Sequence, residues 1–364
     1  MDALATPATR RLGCCYPIVQ TAMGWVSTSA LVTASVRAGA FAFLACAVMT
    51  PEEAESEIRA VIDAVDGPFG VNFHGFQPGA ERIADQVIDH GVKAVSYGRA
   101  PSPKLIDKLK AAGVLCVPTI GAGKHARKAV ELGADIIVCQ GGEGGGHTGV
   151  TPTLLLLAET LDAVEVPVLA AGGFRDGRGL AAALAFGADG IAMGTRFMLT
   201  SDSPTPAATK ARYLSAEVNQ IPVSAKLDGL PQRMLMNETL ARLERAGSLS
   251  MAVRALANGW RFRAETGASV LALAKSAWAM TRSGGLTLSQ AMMAANAPMI
   301  IKKAMVEGDP ARGVLPSGQV AGLIDDLPSC DELVAGIVAD ARQRISGLAD
   351  AASTDQNGSV PHAI

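Results

Sequence analysis

The feature that most constrains the fold is a repeat. A glycine ends a helical stretch and an apolar strand begins within a few residues. Gly91 precedes Ala94-Val95, Gly113 precedes Val114-Leu115-Cys116-Val117, Gly133 precedes Ile136-Ile137-Val138, and Gly187 precedes Ile191-Ala192-Met193. Glycine past a helix end supplies the left-handed residue that satisfies the last carbonyls. A short run of branched apolar residues is how a strand buried on both faces reads. The first three repeats recur at roughly 20 residues, about one β/α unit each. Upstream, Pro17-Ile18-Val19-Gln20, Phe41 to Ala47 and Phe69-Gly70-Val71-Asn72-Phe73 add three strands, and Pro167 to Ala170 adds another. Gly190 to Met193 is then the eighth. Eight strands alternating with helices predict an α/β fold, a (β/α)8 TIM barrel. A doubly wound open sheet is the alternative, because alternation alone does not prove closure.

Helix signals support the alternation. Ser27 reads as the N-cap of a helix running to Arg37 and stopped by Gly39. Thr50-Pro51-Glu52-Glu53 combines an N-cap, a proline at the first position and acids in the first turn. A further helix spans about Gly79 to His90.

After the eighth strand the rhythm changes. From Pro206 to Gln290 no strand-like run is found, and Asn237 to Ala246 and Ser269 to Arg282 read as helix. The expected organisation is a barrel over residues 1–205, completed by 291–349, with a helical substrate or cap domain at 206–290. The small, polar residues 350–364 read as a disordered tail. The inserted segment holds eleven Lys/Arg against five Asp/Glu, a balance of +6, so the remainder carries −8 of the overall −2. A cap attracting an anionic substrate accounts for that asymmetry, and solvated helix faces are the alternative.

Composition excludes several classes. A net charge of −2 argues against a nucleic-acid binder. The opening residues carry no signal-peptide pattern, and the longest apolar run, Ala38 to Met49, is too short to cross a bilayer. The expectation is a soluble, cytoplasmic protein with no membrane partner. None of the six cysteines forms a C-x-x-C pair or a zinc-spaced Cys/His cluster, and no metal is expected. Cys46, Cys116 and Cys139 read as buried thiols, although Cys139 abuts the stretch described next.

That stretch is Gln140-Gly141-Gly142-Glu143-Gly144-Gly145-Gly146-His147-Thr148-Gly149, directly after the sixth strand. In parallel α/β proteins, a Gly-rich loop at a strand's carboxyl end is where a site is built. A histidine there exchanges protons near neutral pH. Gly144-x-Gly146-x-x-Gly149 also matches a dinucleotide fingerprint, but it lies mid-chain, after several β/α units, among 39 glycines. A flexible turn with an incidental histidine is the third reading. Ala171-Gly172-Gly173 and Met193-Gly194-Thr195 follow the seventh and eighth strands, where barrel enzymes often hold a phosphate. Gly172, Gly173, Gly194 and Thr195 are the candidate phosphate residues, with two ordinary turns as the alternative. Asp176 caps the helix that follows. A P-loop at Gly121-Ala122-Gly123-Lys124 fails, because Pro118 and His125 replace the required glycine and Ser/Thr.

These motifs together resemble the nitronate monooxygenase (2-nitropropane dioxygenase-like) family. The Gln140 to Gly149 stretch is similar to its Q-G-x-E-A-G-G-H-x-G signature, with Gly144 for alanine. Gln20-Thr21-Ala22-Met23-Gly24 is similar to Q-A-P-M-A-G, with Ala22 for proline. Val71-Asn72-Phe73, Ala171-Gly172-Gly173 and Gly194-Thr195-Arg196-Phe197 follow in order. The resemblance implies an FMN-dependent oxidoreductase. Ala22, Met23, Gly24, Asn72 and Gln140 would contact the isoalloxazine or ribityl part of FMN. Gly172, Gly173, Gly194 and Thr195 would hold its phosphate, and His147 would be the base. Leu286 to Gln290, Ala294 to Met299 and Ser317 to Cys330 resemble a narrower subgroup that acts on hydroxylated acyl-CoA esters in bacterial steroid-ring breakdown. The expected substrate is therefore a small, anionic molecule. Oxidation of alkyl nitronates with O2, enoyl-thioester reduction and a non-enzymatic flavin carrier remain alternatives. The assembly state is open, with a homodimer as the candidate.

Overall fold

The computed structural model describes residues 3–98, 100–245 and 297–354. They form two compact units. The first comprises residues up to Gly142, Val150–Pro204 and the chain from Asp326 onward. The second comprises Glu143–Gly149 and Thr205–Asp325.

The first unit is the barrel. In chain order its strands are β1 (Ile18–Gln20), β2 (Phe41–Ala45), β3 (Gly70–Asn72), β4 (Ala94–Tyr97), β5 (Leu115–Ile120) and β6 (Ile137–Gln140). A two-residue strand of the second unit, β7 (Gly146–His147), follows, and then β8 (Val168–Ala171) and β9 (Gly190–Met193). The eight barrel strands are parallel, in the order β1-β2-β3-β4-β5-β6-β8-β9, and β9 closes on β1 through Ile18 opposite Ile191. The open-sheet alternative is excluded by that pairing. Burial drives this arrangement. Val19, Phe41, Phe43, Val117, Val138, Leu169 and Ala192 fill the interior with Ala8 and Leu12 of the N-terminal helix Pro7–Leu12. Phe41 and Phe43 meet edge to face, with ring centroids 5.1 Å apart. A second apolar cluster packs Ala54, Ile58 and Val61, Ile83 and Val87, and Leu105 and Leu109 onto the outer faces of the neighbouring strands. The glycines of the sequence repeat are the predicted left-handed residues, with φ of 64° at Gly91, 78° at Gly113, 97° at Gly133 and 105° at Gly187.

Thr50 caps helix Pro51–Ala64 in a full capping box with Glu53. Ser27 is not the cap of helix Ser29–Arg37; Thr28 is, without a side-chain bond. The Ser27 hydroxyl is used elsewhere, in the loop after β1. The final helix, Cys330–Thr354, packs against helix Gly177–Ala185. It continues beyond residue 350, where a disordered tail was expected, because the alanine-rich stretch keeps helical propensity. Residues 355–364 lie outside the described ones.

The second unit is not purely helical. It contains helices Ala207–Leu214, Glu238–Arg245 and Ala297–Met305, and also β10 (Val223–Ser224), β11 (Gln232–Leu235) and β12 (Leu315–Pro316). β11 pairs antiparallel with β10, with β12 and with β7. Strands of two to four residues are too short for any period to show in sequence, and their partners are remote in the chain. Leu227, Met234, Leu240, Ala297 and Val314 form the core of this unit. Segment 297–325 therefore belongs with it, and the chain rejoins the barrel at Asp326 rather than at residue 291. The helix expected at Ser269 to Arg282 lies outside the described residues. Among the described residues no helix is long and apolar enough to cross a membrane.

Candidate active site

Because all eight strands are parallel, the loops after them gather at one end of the barrel. Gln20 closes β1 and is fully buried. Its Nε2 donates to the Ser27 hydroxyl at 2.9 Å and to the Thr21 carbonyl. Its Oε1 is buried and has no protein partner. Ser27 Oγ also accepts from the Met23 amide at 2.9 Å and donates to the Thr21 carbonyl at 3.1 Å. One hydroxyl thus fixes the Thr21-Ala22-Met23-Gly24 turn. Trp25 next to it takes a φ of 63°, a conformation that costs a non-glycine residue about 1 kcal/mol and persists where surroundings impose it. The Thr21 amide donates to the Met193 carbonyl, so the loop after β1 is tied to the end of β9. A Cβ on Gly194 would lie 3.0 Å from Thr21 Oγ1 and 3.3 Å from the Met23 sulfur.

Asn72 ends β3 and donates to the Ser96 carbonyl at 2.9 Å and the Ser96 hydroxyl at 3.1 Å. Gln140 ends β6 opposite Ala171. Gly172 and Gly173 have φ of 100° and 85°, a consecutive pair open only to glycine. Thr153 holds that turn by donating to the Gly172 carbonyl at 3.1 Å. Asp176 caps the following helix through the Arg178 amide at 3.1 Å. Gly194 precedes the short helix Thr195–Met198. Ala22, Met23, Gly24, Asn72, Gln140, Gly172, Gly173, Gly194 and Thr195 therefore all lie at carboxyl ends of barrel strands. Arg196, within the same motif, is buried and faces structure instead. It bonds Asp326 at 2.6 Å and the Leu199 carbonyl at 3.0 Å. Cys139 is buried with its sulfur 3.4 Å from the Thr160 hydroxyl, and burial pushes its pKa up to about 11, so it is a packing thiol.

His147 belongs to the second unit. The stretch Glu143–Gly149 is stitched into the small sheet there, with His147 opposite Gln232 and Gly146 opposite Arg233. The Gln319 amide donates to the Glu143 carbonyl at 2.9 Å. A Cβ on Gly145 would lie 2.5 Å from the Gly318 nitrogen and 2.7 Å from the Ser317 carbonyl carbon, so only glycine passes. His147 Nε2 lies 2.8 Å from Asp228 Oδ2. The Leu230 amide donates to Asp228 Oδ1 at 3.0 Å, and Gln232 Nε2 donates to Oδ2. The His147 side chain is 59% exposed and that of Asp228 only 7%. Burial acts to raise the Asp228 pKa, but hydrogen bonding and charge from His147, with the Leu230 and Gln232 bonds, outweigh it and hold the carboxyl below its ordinary value. Sequence reading missed Asp228 and Gln232. Asp228 entered only as one charge among five acids. The signal was Asp228-Gly229, a turn dipeptide before the apolar Met234-Leu235.

The family model described as nitronate monooxygenase matches residues 6–85 and 79–340. The chain belongs to the nitronate monooxygenase family. This family member is also 49% identical, over 96% of its length and 99% of the relative's, to the (3aS,4S,5R,7aS)-5-hydroxy-7a-methyl-1-oxo-octahydro-1H-indene-4-carboxyl-CoA dehydrogenase of Rhodococcus jostii. It is 47% identical to the Mycobacterium tuberculosis protein of the same description, over 93% of this chain and 96% of that one. Among solved structures, FabK from Thermotoga maritima superposes with a TM-score of 0.76 at 28% identity, covering 95% of this chain and 98% of that one. A nitroalkane oxidase from Streptomyces ansochromogenes shares the fold, with a TM-score of 0.75 at 24% identity over 94% of this chain and 100% of the other. This nitronate monooxygenase family member is an enzyme, an oxidoreductase.

Proposed function

We propose that this enzyme is an FMN-dependent dehydrogenase of a hydroxylated acyl-CoA ester, with His147 as the base. The observation that carries the substrate class is the 49% identity over nearly the whole of both chains to a dehydrogenase of a hydroxylated bicyclic acyl-CoA. The barrel residues suit FMN. The consecutive left-handed pair Gly172-Gly173 and Gly194, where a Cβ would crowd the Thr21 hydroxyl and the Met23 sulfur, lie after the two strands that commonly receive a phosphate. Gln20 leaves a buried acceptor unpartnered beside the Met23 turn. In this reading Gly172, Gly173, Gly194 and Thr195 hold the phosphate. Ala22, Met23, Gly24, Asn72 and Gln140 line the ring and ribityl chain. When bound, FMN supplies the hydride acceptor. His147 takes the proton of the substrate hydroxyl while the carbinol hydrogen leaves as hydride, so the alcohol becomes a ketone with the electrons balanced.

The second unit is the substrate domain in this account. Some of its described basic residues serve structure and others face solvent. Lys210 is buried, and Arg233 donates to the Ile221 carbonyl at 2.6 Å, so these two serve structure. Arg242 and Arg245 are exposed on helix Glu238–Arg245 and are available to an anion. Arg254, Arg261 and Arg263 lie outside the described residues.

The test is cofactor release together with one variant. The purified protein is expected to be yellow and to release FMN on denaturation. His147→Asn is expected to keep FMN and lose about 10²–10⁴-fold in the rate of substrate-driven flavin reduction. A protein that cannot be loaded with FMN, or a variant that reduces at the wild-type rate, contradicts the proposal.

A further inference from the structure

We infer that Asp228 is a positioning residue that fixes His147 in the tautomer with its proton on Nε2, so that Nδ1 is the atom that accepts the substrate proton. The inference rests on His147 being the base. An ionised carboxylate only accepts, so a ring nitrogen 2.8 Å from Asp228 Oδ2 must carry the hydrogen. The lone pair of the neutral ring is then on Nδ1. Neither partner is free to slide. Oδ1 accepts the Leu230 amide two residues on, an Asx-type turn that sets the carboxylate's orientation. Gln232 Nε2 donates to Oδ2 from β11, and the same residue lies opposite His147 in the sheet register. The turn 228–231 and the strand pairing therefore fix the acid and the ring in one frame. Gln232 Nε2 also lies 3.1 Å from His147 Nε2. Both are then donors converging on one oxygen, so this approach adds no bond of its own.

The surrounding charges fit. Asp228 is the carboxylate on the ring, and it stays ionised despite burial. On the neighbouring positions Glu143 and Arg233 act on each other. When Nδ1 takes a proton, the imidazolium formed is hydrogen-bonded to an anion already in place. This is how a carboxylate both orients and stabilises a histidine base without itself taking the proton.

The structure also dictates what an amide would do at this position. In Asp228→Asn the Leu230 N–H still needs an acceptor, which places the new carbonyl there and turns the NH2 toward His147 Nε2. The ring must then accept at Nε2 and carry its proton on Nδ1, the wrong atom for the base.

The test uses the FMN-loaded enzyme with ring-¹⁵N histidine, His147 being assigned by its loss in His147→Asn. Two-bond proton–nitrogen correlations above the ring's titration report which nitrogen is protonated. Wild type is expected to show the proton on Nε2. Asp228→Asn is expected to show it moved to Nδ1 or split between the two. Its kcat should fall about 10²–10⁴-fold while KM for the acyl-CoA ester changes less than about threefold. A wild-type ring protonated on Nδ1, or an Asp228→Asn enzyme with near-normal kcat, overturns the inference. If Asp228→Asn does not fold, the wild-type spectrum decides alone. If His147→Asn reduces substrate normally, the base assignment falls, while the spectrum still shows whether Asp228 sets the tautomer.

Discussion

Ser27 shows how single residues are diverted from their local role. It stands where a helix cap is expected, yet its hydroxyl meets Gln20, the Met23 amide and the Thr21 carbonyl. A residue read only against its sequence neighbours looks like a cap; its long-range partners make it a loop brace. Asp228 is the same lesson for the site. Thr195→Val removes one hydroxyl at the proposed phosphate position and is expected to weaken FMN binding by roughly 1.5–3 kcal/mol, measured by flavin release, with the melting profile retained. Unchanged affinity would place Thr195 away from the phosphate. Asp228 also sets a pH dependence. Its folded pKa is lowered, so its stabilising contribution is present above the unfolded carboxylate value and is lost as pH falls through the folded one. Acid unfolding followed by fluorescence or circular dichroism should therefore lose part of its dependence below about pH 4 in Asp228→Asn. An unchanged acid limb would contradict the bonded carboxylate. His147, the glycine turns and Asn72 stand out in the sequence as candidates because a motif surrounds each. Asp228 and Gln232 do not, since what identifies them is proximity to His147 across 81 and 85 residues.

At the scale of elements, the barrel was legible and the small sheet was not. Most barrel strands are short, largely apolar runs that alternate with helices, and Gly91, Gly113, Gly133 and Gly187 each mark the end of a helix before a strand. Strands β7, β10 and β12 are two residues long, with no period to read, and only the pairing with β11 defines them. The elements also separate stability from function. Thr50→Ala breaks the capping box of helix Pro51–Ala64 and should cost about 1 kcal/mol in denaturant unfolding, with the rate of flavin reduction unchanged. Gly145→Ala drives a methyl group into the Ser317-Gly318 backbone, which cannot yield as a side chain can. It should cost about 1–3 kcal/mol and move the His147 stretch, lowering kcat while FMN remains bound. Full activity in Gly145→Ala would mean that the stretch tolerates displacement.

For the whole molecule, charge is divided along the chain. The segment 206–290 carries +6 and the rest −8. A nitronate has a single charge to meet, whereas a CoA ester brings a pyrophosphate and a further phosphate that call for several cations at once. Exposed attraction of this kind is screened over about 8–10 Å at physiological salt, so affinity for the ester should fall as salt rises. Charge reversal at Arg242 and Arg245 together should raise KM for the ester and spare the flavin. The most direct measurement is an anaerobic titration of the FMN-loaded enzyme with a hydroxylated bicyclic acyl-CoA ester and, separately, with an alkyl nitronate, following loss of the flavin's visible absorbance. Stoichiometric bleaching by the ester, inhibited by free CoA and weakened by salt, is the expected result. Bleaching by the nitronate alone, with the ester inert and free CoA without effect, would contradict it.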